Sequence, residues 1–157
     1  AAAVGMVVAA SDAFVPEEAM RAAGVEPLDL DTLLETSDVV TLHAPLTDDT
    51  RNLINARRLA QMRDDAYLVN CARAGLVDHQ ALGDALLHGV IAGAAIDVYP
   101  HEPPPFDEPA FRWPNLIVQP HSAWYSLEAS LAPYTRQIED LARFLRGEQP
   151  VGLIPGA

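Results

Sequence analysis

The chain has 157 residues, half of them hydrophobic, with a formal charge of −12 and a single cysteine. That is one domain's worth of chain with enough apolar material for a sizeable core, and its acidity excludes nucleic acid and anionic membrane surfaces as direct partners, because phosphate binding needs clustered Lys and Arg. A lone Cys71 rules out an internal disulfide and fits a reducing, cytoplasmic compartment, and no apolar run is long enough to span a bilayer.

The first ten residues, Ala1 to Ala10, have the apolarity of a signal-peptide core but neither a starting Met nor a basic flank. They read instead as a chain entered in mid-element, as in a fragment. Met6 to Ala10 is expected to be a buried strand ending at Ser11-Asp12. Pro16 to Ala23 reads as a helix with Pro at its first turn, stopped by Gly24. Asp29 caps a short helix through Glu35. Asp38 to Leu42 is a strand, Asn55 to Met62 a short helix, and Ala66 to Asn70 a strand. Asp78 caps a helix with Ala81, Leu82, Ala85 and Leu86 on one face, closed by Gly89. Ile91 to Val98 is a strand of small and branched residues. The segment from His101 to Pro114, with Pro100 just before it, is proline-rich and must be loop. Leu116 to Val118 is a strand. The last helix covers about Ser126 to Arg146, with a stripe of Leu127, Leu131, Tyr134, Ile138, Leu141 and Leu145; Pro133 should kink it or delay its start.

Continuous apolar strands alternating with amphipathic helices predict an α/β fold, a Rossmann-like parallel sheet with helices on both faces. Ligands of such sheets sit at the carboxyl ends of the strands. Asp12, His43, Cys71 to Arg73, Asp97 and His121 all fall there. Asp12 could hold ribose hydroxyls through two acceptor bonds or simply form a turn; no Arg or Lys follows it to neutralise a 2′-phosphate. Arg73 can clamp a carboxylate with two parallel hydrogen bonds, and the small neighbours Ala72, Ala74 and Gly75 leave room for close approach. His121 can carry a proton near neutral pH, and Glu102 can orient it and raise its basicity. The bland readings are a solvated Arg and an exposed loop Glu; only convergence with His121 makes them a site. His101 is an ordinary loop residue. The five histidines lack paired metal spacing, and one Cys cannot build a sulfur site, so no metal is expected.

Four stretches carry a resemblance: Asp38-Val39-Val40-Thr41-Leu42-His43-Ala44-Pro45-Leu46-Thr47, then Asn70-Cys71-Ala72-Arg73-Ala74-Gly75-Leu76-Val77-Asp78, then Asp97-Val98-Tyr99-Pro100-His101-Glu102-Pro103, then Pro120-His121-Ser122-Ala123. In this order and with these gaps the chain resembles the NAD-binding domain of the D-isomer-specific 2-hydroxyacid dehydrogenases, from Met6 to about Gln149. The stretch His121 to Ser126 is similar to the C-terminal-binding-protein branch, which couples this fold to transcriptional corepression. The resemblance implies NAD as cofactor, a small 2-keto or 2-hydroxy acid as substrate and a homodimer. It implies that Arg73 binds the substrate carboxylate and keto oxygen. His121 would exchange the proton, with Glu102 favouring its protonated form. Asp12, Ala44, Pro45, Thr50, Cys71, Ala72, Asp97 and Ala123 would form the cofactor side, and Trp124 would face the substrate pocket. Cys71, Ala74 and Gln119 replace the usual Thr or Ser, Gly and Thr of the family, and Pro133 is unusual in the last helix.

The family pattern places a strand and a Gly-x-Gly-x-x-Gly turn before the strand at Met6, and this chain contains neither. The expected organisation is therefore a partial dinucleotide-binding domain over residues 1–149, with residues 150–157 as a tail leading toward a substrate domain. The strands at Met6 and Asp38 would be left with inner edges. Without the glycine cradle and helix N-terminus, NAD binding by this chain alone should be weak or absent. Three functions remain: part of an NAD-dependent dehydrogenase, an NAD-sensing corepressor-like binding module, or an inactive remnant.

Overall fold

Helices begin where a short oxygen-bearing side chain can accept from a backbone N–H left over in the first turn. In the computed structural model, which describes residues 1–152, Asp29 accepts from the Thr32 N–H at 2.9 Å, Asn55 from Arg58 at 3.2 Å, Asp78 from Ala81 at 3.1 Å and Ser126 from Ala129 at 3.0 Å. The elements in chain order are β1 (Ala9–Ala10), α1 (Glu17–Ala22), β2 (Glu26–Pro27), α2 (Leu30–Thr36), β3 (Val39–Leu42), α3 (Ala56–Leu59), β4 (Tyr67–Asn70), α4 (His79–Leu87), β5 (Gly93–Ile96), β6 (Leu116–Val118) and α5 (Leu127–Leu145). Single 3-10 turns stand at Ala2–Val4, Ala74–Leu76 and Pro109–Arg112.

The buried strand expected from Met6 shortens to Ala9–Ala10, the two residues that pair with β2, and Met6 and Val7 are exposed. Strand β2 was not expected; two residues, Glu and Pro, carry no readable period. The proline-rich loop does contain structure, the turn Pro109–Arg112, capped by Glu108. Pro133 does not delay the last helix, which starts at Leu127 and continues through it.

Strands β3, β4, β5 and β6 form one parallel sheet in chain order, and β1 and β2 pair in parallel as a separate two-stranded sheet. The strands at Ala9 and Val39 are thus unjoined, in line with the two inner edges expected. Registers align Leu42 with Asn70, Asn70 with Ile96, and Ile96 with Val118. One face of this sheet is the core. Val40, Leu42, Leu68, Ala94 and Ile96 lie on it and are buried against Leu34, Leu59, Leu82 and Leu86. Each fully buried aliphatic side chain contributes about 1.5–3 kcal/mol. The opposite face carries Val39, Tyr67 and Ile117, which are 44%, 51% and 64% exposed.

Two compact units result, one ending at His121 and the other beginning at Ser122. In the second, α5 presents its predicted apolar stripe on the surface, and Asp140 accepts from the Val151 and Gly152 N–H groups at 2.8 and 3.0 Å. Of the tail expected over 150–157, residues 153–157 lie outside the described residues. No helix among the described residues is long and apolar enough to cross a membrane.

Candidate active site

The common register delivers four loops to one edge of the sheet, following Leu42, Asn70, Ile96 and Val118. The loop after β4 is shaped by Asn70, which is only 2% exposed. Its Nδ2 donates to the Arg73 carbonyl at 3.0 Å, and its Oδ1 accepts from the Ala72 N–H at 3.1 Å. A buried amide satisfied in this way fixes the backbone between Cys71 and Arg73. The Arg73 guanidinium turns back to donate to the Ala72 carbonyl at 2.6 Å and remains exposed.

The loop after β5 brings Glu102 back under Tyr99. Glu102 Oε1 accepts from the Tyr99 N–H at 3.0 Å, and Oε2 lies 2.6 Å from His121 Nδ1. The Tyr99 N–H first, then His121, with the positive charge of Arg73 adding, hold the Glu102 carboxyl below the usual carboxylate range. Tyr99 is buried and forms an apolar wall; burial first, then the charges of Asp97, Glu108 and Glu102, push its phenol up, so it stays neutral. His121 sits at φ 54°, in the left-handed region. A side chain of this size there costs about 1–3 kcal/mol, a strain concentrated at functional sites. Pro120 precedes it, yet the turn is made by the histidine itself.

Arg73, Glu102 and His121 all line one cleft of about 670 Å³, together with Tyr99, Arg51 and His79. The three residues singled out from the sequence therefore meet at one place. The small-residue reading of Gly75 changes, however. A Cβ there would fall 2.9 Å from a Leu46 methyl and 3.6 Å from Arg51 Nη1, so protein side chains occupy that space.

The remaining candidates are distributed along the same edge or beyond it. Asp12 stands exposed just past β1, with Oδ1 accepting from the Phe14 and Val15 N–H groups at 2.7 and 3.1 Å; the turn-forming reading is realised, and Oδ2 is the oxygen left over from it. Thr50 Oγ1 donates to the Pro45 carbonyl at 2.6 Å, which braces the Ala44–Pro45 turn. Cys71 is exposed and Ala72 half-buried. Asp97 is buried at 2% exposure. Ala123 and Trp124 belong to the second unit, where the Trp124 ring meets Tyr125 edge-on at 5.5 Å. His101 is exposed.

Asp12 lies just past β1, whereas the Asn70-braced backbone and Asp97 lie at the carboxyl edge of the four-stranded sheet. The nine glycines include no phosphate-cradling run between them.

Sequence reasoning missed the pair His79–Glu108. His79 Nε2 lies 2.9 Å from Glu108 Oε1, and its ring packs 4.7 Å from that of Trp113. This pair ties the proline-rich loop to α4. A Glu directly before Pro109 marks a cap position, but nothing in the sequence leads from it to His79. Asn70 was legible as part of a motif but not as the brace of Arg73.

Residues 1–123 match the family model described as D-isomer specific 2-hydroxyacid dehydrogenase, NAD binding domain. Among curated proteins, the glyoxylate reductase of Thermofilum pendens is 45% identical over 130 residues, covering 83% of this chain and 38% of that protein. The glycerate dehydrogenase of Methylorubrum extorquens is 43% identical over 150 residues, covering 94% of this chain and 45% of that protein. Among solved structures, the D-lactate dehydrogenase of Lactobacillus jensenii with NAD+ superposes with a TM-score of 0.89 at 32% identity, covering 98% of this chain and 49% of that one. The chain thus spans less than half the length of these relatives. With the parallel sheet, the site at its carboxyl edge and a family match over most of the sequence, the chain belongs to the NAD-binding domains of the D-isomer specific 2-hydroxyacid dehydrogenases.

Proposed function

We propose that this chain supplies the acid–base and cofactor half of a cytoplasmic, NAD-dependent enzyme that interconverts a 2-keto acid and an (R)-2-hydroxy acid. One observation carries the reading: the Glu102–His121 pair at 2.6 Å shares a cleft with the Arg73 guanidinium. Arg73 clamps the substrate carboxylate and polarises the keto oxygen. Glu102 holds Nδ1 of His121, so proton exchange with the substrate oxygen falls to Nε2. Bound NAD supplies the hydride acceptor or, as NADH, the donor. Asp12 would take the adenosine ribose, with Ala44, Pro45 and Thr50 beside the adenine. Cys71, Ala72, Asp97 and Ala123 would border the nicotinamide half, and Trp124 the substrate. The absence of a cation at residues 13–15 favours NAD over NADP. Residues 1–149 are then part of a dinucleotide-binding domain, the tail leads toward a substrate domain, and the assembly is a homodimer.

The test is NADH-dependent reduction of a 2-keto acid by a protein carrying this sequence at its relatives' length. His121→Ala should lower kcat by about 10²–10⁴-fold and leave NADH affinity nearly intact; an undiminished rate removes His121 from the mechanism.

A second reading, an NAD-sensing corepressor-like module, draws on the exposed Trp124 and Tyr125. The relatives reported above are named as enzymes, which favours the first reading. A converged Arg, Glu and His argues against an inactive remnant, since decay has no reason to keep three dispersed residues in one cleft.

A further inference from the structure

The cleft holds a second guanidinium. Arg51 stands on the turn after Thr50, and its Nη1 lies over Gly75. The Asn52 N–H donates to the Gly75 carbonyl at 2.8 Å and the Ile54 N–H to the Leu76 carbonyl at 2.9 Å, so the segment carrying Arg51 is stitched to the turn that follows Arg73.

Acidic residues outnumber Lys and Arg by 22 to 10 in this chain. Arg21, Arg57, Arg63 and Arg146 each find a carboxylate. Among the described residues, Arg51 and Arg73 have none within ion-pairing distance, as is true also of Arg58, Arg112, Arg136 and Arg143, but of these six only Arg51 and Arg73 line the cleft. The carboxylate that lines the cleft, Glu102, is engaged by His121 and Tyr99. Two guanidiniums collected at one concavity of an acidic protein repel each other and attract anions. One anionic group satisfies Arg73 and leaves the other fork open.

We infer that the cleft takes a 2-keto or 2-hydroxy acid bearing a second anionic group, a carboxylate or a phosphate. Arg51 grips that distal group while Arg73 holds the proximal carboxylate. This rests on Arg73 as the carboxylate clamp of the proposed function. It makes Arg51 a specificity residue of the cleft.

The experiment is an NMR titration of the 157-residue chain with D-lactate, D-2-hydroxyglutarate and D-3-phosphoglycerate, following the backbone amides of residues 72–76, 102 and 121. A dianionic acid should bind about tenfold more tightly than D-lactate, the gain of one added charge-assisted contact. Arg51→Gln should reduce it to the level of D-lactate and leave D-lactate affinity unchanged. Arg51→Lys, which keeps the charge, should retain part of the preference, and the same spectra report whether each variant is folded. Arg73→Gln should weaken all three acids. Tight binding of only one dianion supports the inference and identifies the distal group. Equal affinity for all three acids, or a preference that survives Arg51→Gln, overturns it while the loss in Arg73→Gln preserves the proposed function. Binding of none of the three overturns the inference, while the proposed function is decided by the reductase assay at the relatives' length.

Discussion

Glu102 and His121 are nineteen residues apart in the chain and 2.6 Å apart in the fold. Nothing local to either explains that contact. It follows from the parallel order of β5 and β6, which places the loop after Ile96 beside the turn after Val118. The proline-rich loop is tied at Glu102 to the Tyr99 N–H and, farther along, at Glu108 to His79.

The carboxyl of Glu102, held below the usual carboxylate range, sets the acid limit of this arrangement. A carboxyl whose folded value lies below its ordinary 4.5 favours the folded site above that value and loses the advantage as pH falls through the lower, folded one. The Glu102–His121 link should therefore survive the ordinary carboxylate range and fail only below it. Carbon-13 NMR of the Glu102 carboxyl should give a midpoint under 4.5; a midpoint at or above it contradicts the assignment. Glu102→Gln in a full-length enzyme should lower kcat more than it raises KM, because the amide no longer stabilises the charged ring.

Asn70 braces Arg73 from beneath. Asn70→Ala removes both bonds and leaves the Arg73 carbonyl and the Ala72 N–H to find other partners. The expected loss is about 1–3 kcal/mol, read as a lower urea midpoint at unchanged m-value. In a full-length enzyme the same change should raise KM for the keto acid through a misplaced guanidinium. Unchanged stability would mean that water replaces the amide without penalty.

The legibility of this chain follows where its physics is local. Caps at Asp29, Asn55, Asp78 and Ser126 are short-range events, and all four helix starts were readable. Strands β3 to β6 were readable as apolar runs, and their parallel order followed from the alternation with helices. The convergence of Arg73, Glu102 and His121 was expected from their positions after successive strands. Strand β2 was not readable, because Glu26 and Pro27 form it through pairing with Ala9 and Ala10 rather than through propensity. The His79–Glu108 pair was equally hidden: it joins residues 29 apart, and neither has a neighbour that announces the other. Arg51 carried no signal in the sequence; the bridge of Ile54 to Val77 sets it beside the site.

Removing His79 should loosen the loop that carries Glu102. The Glu108 side chain is only 11% exposed, and besides His79 it accepts from the Ala110 N–H at a long 3.4 Å. His79→Ala leaves this carboxylate with poor compensation and removes the ring that packs on Trp113. A loss of about 1–3 kcal/mol is expected, with faster amide exchange at residues 108–112. Exchange rates equal to wild type there would show that Trp113 alone anchors the loop.

Gly83 offers a test in which two rules oppose each other. It lies inside α4, where replacing Gly by Ala usually stabilises a helix by about 1 kcal/mol. A Cβ at this position would stand 2.5 Å from Trp113 Cζ2 and 2.6 Å from Cε2. The indole is rigid and also packs against His79, one turn earlier on the same face of α4, so it cannot yield as the end of a flexible chain could. Overpacking of this kind costs about 1–3 kcal/mol, so Gly83→Ala should destabilise despite its better helix propensity. Trp113→Leu removes the ring that clashes. In that background Gly83→Ala should become neutral or stabilising, and the reversal of sign between the two backgrounds in urea unfolding is the measurement. If the alanine stabilises both, the indole is not seated on α4; if it destabilises both equally, the penalty comes from something other than Trp113.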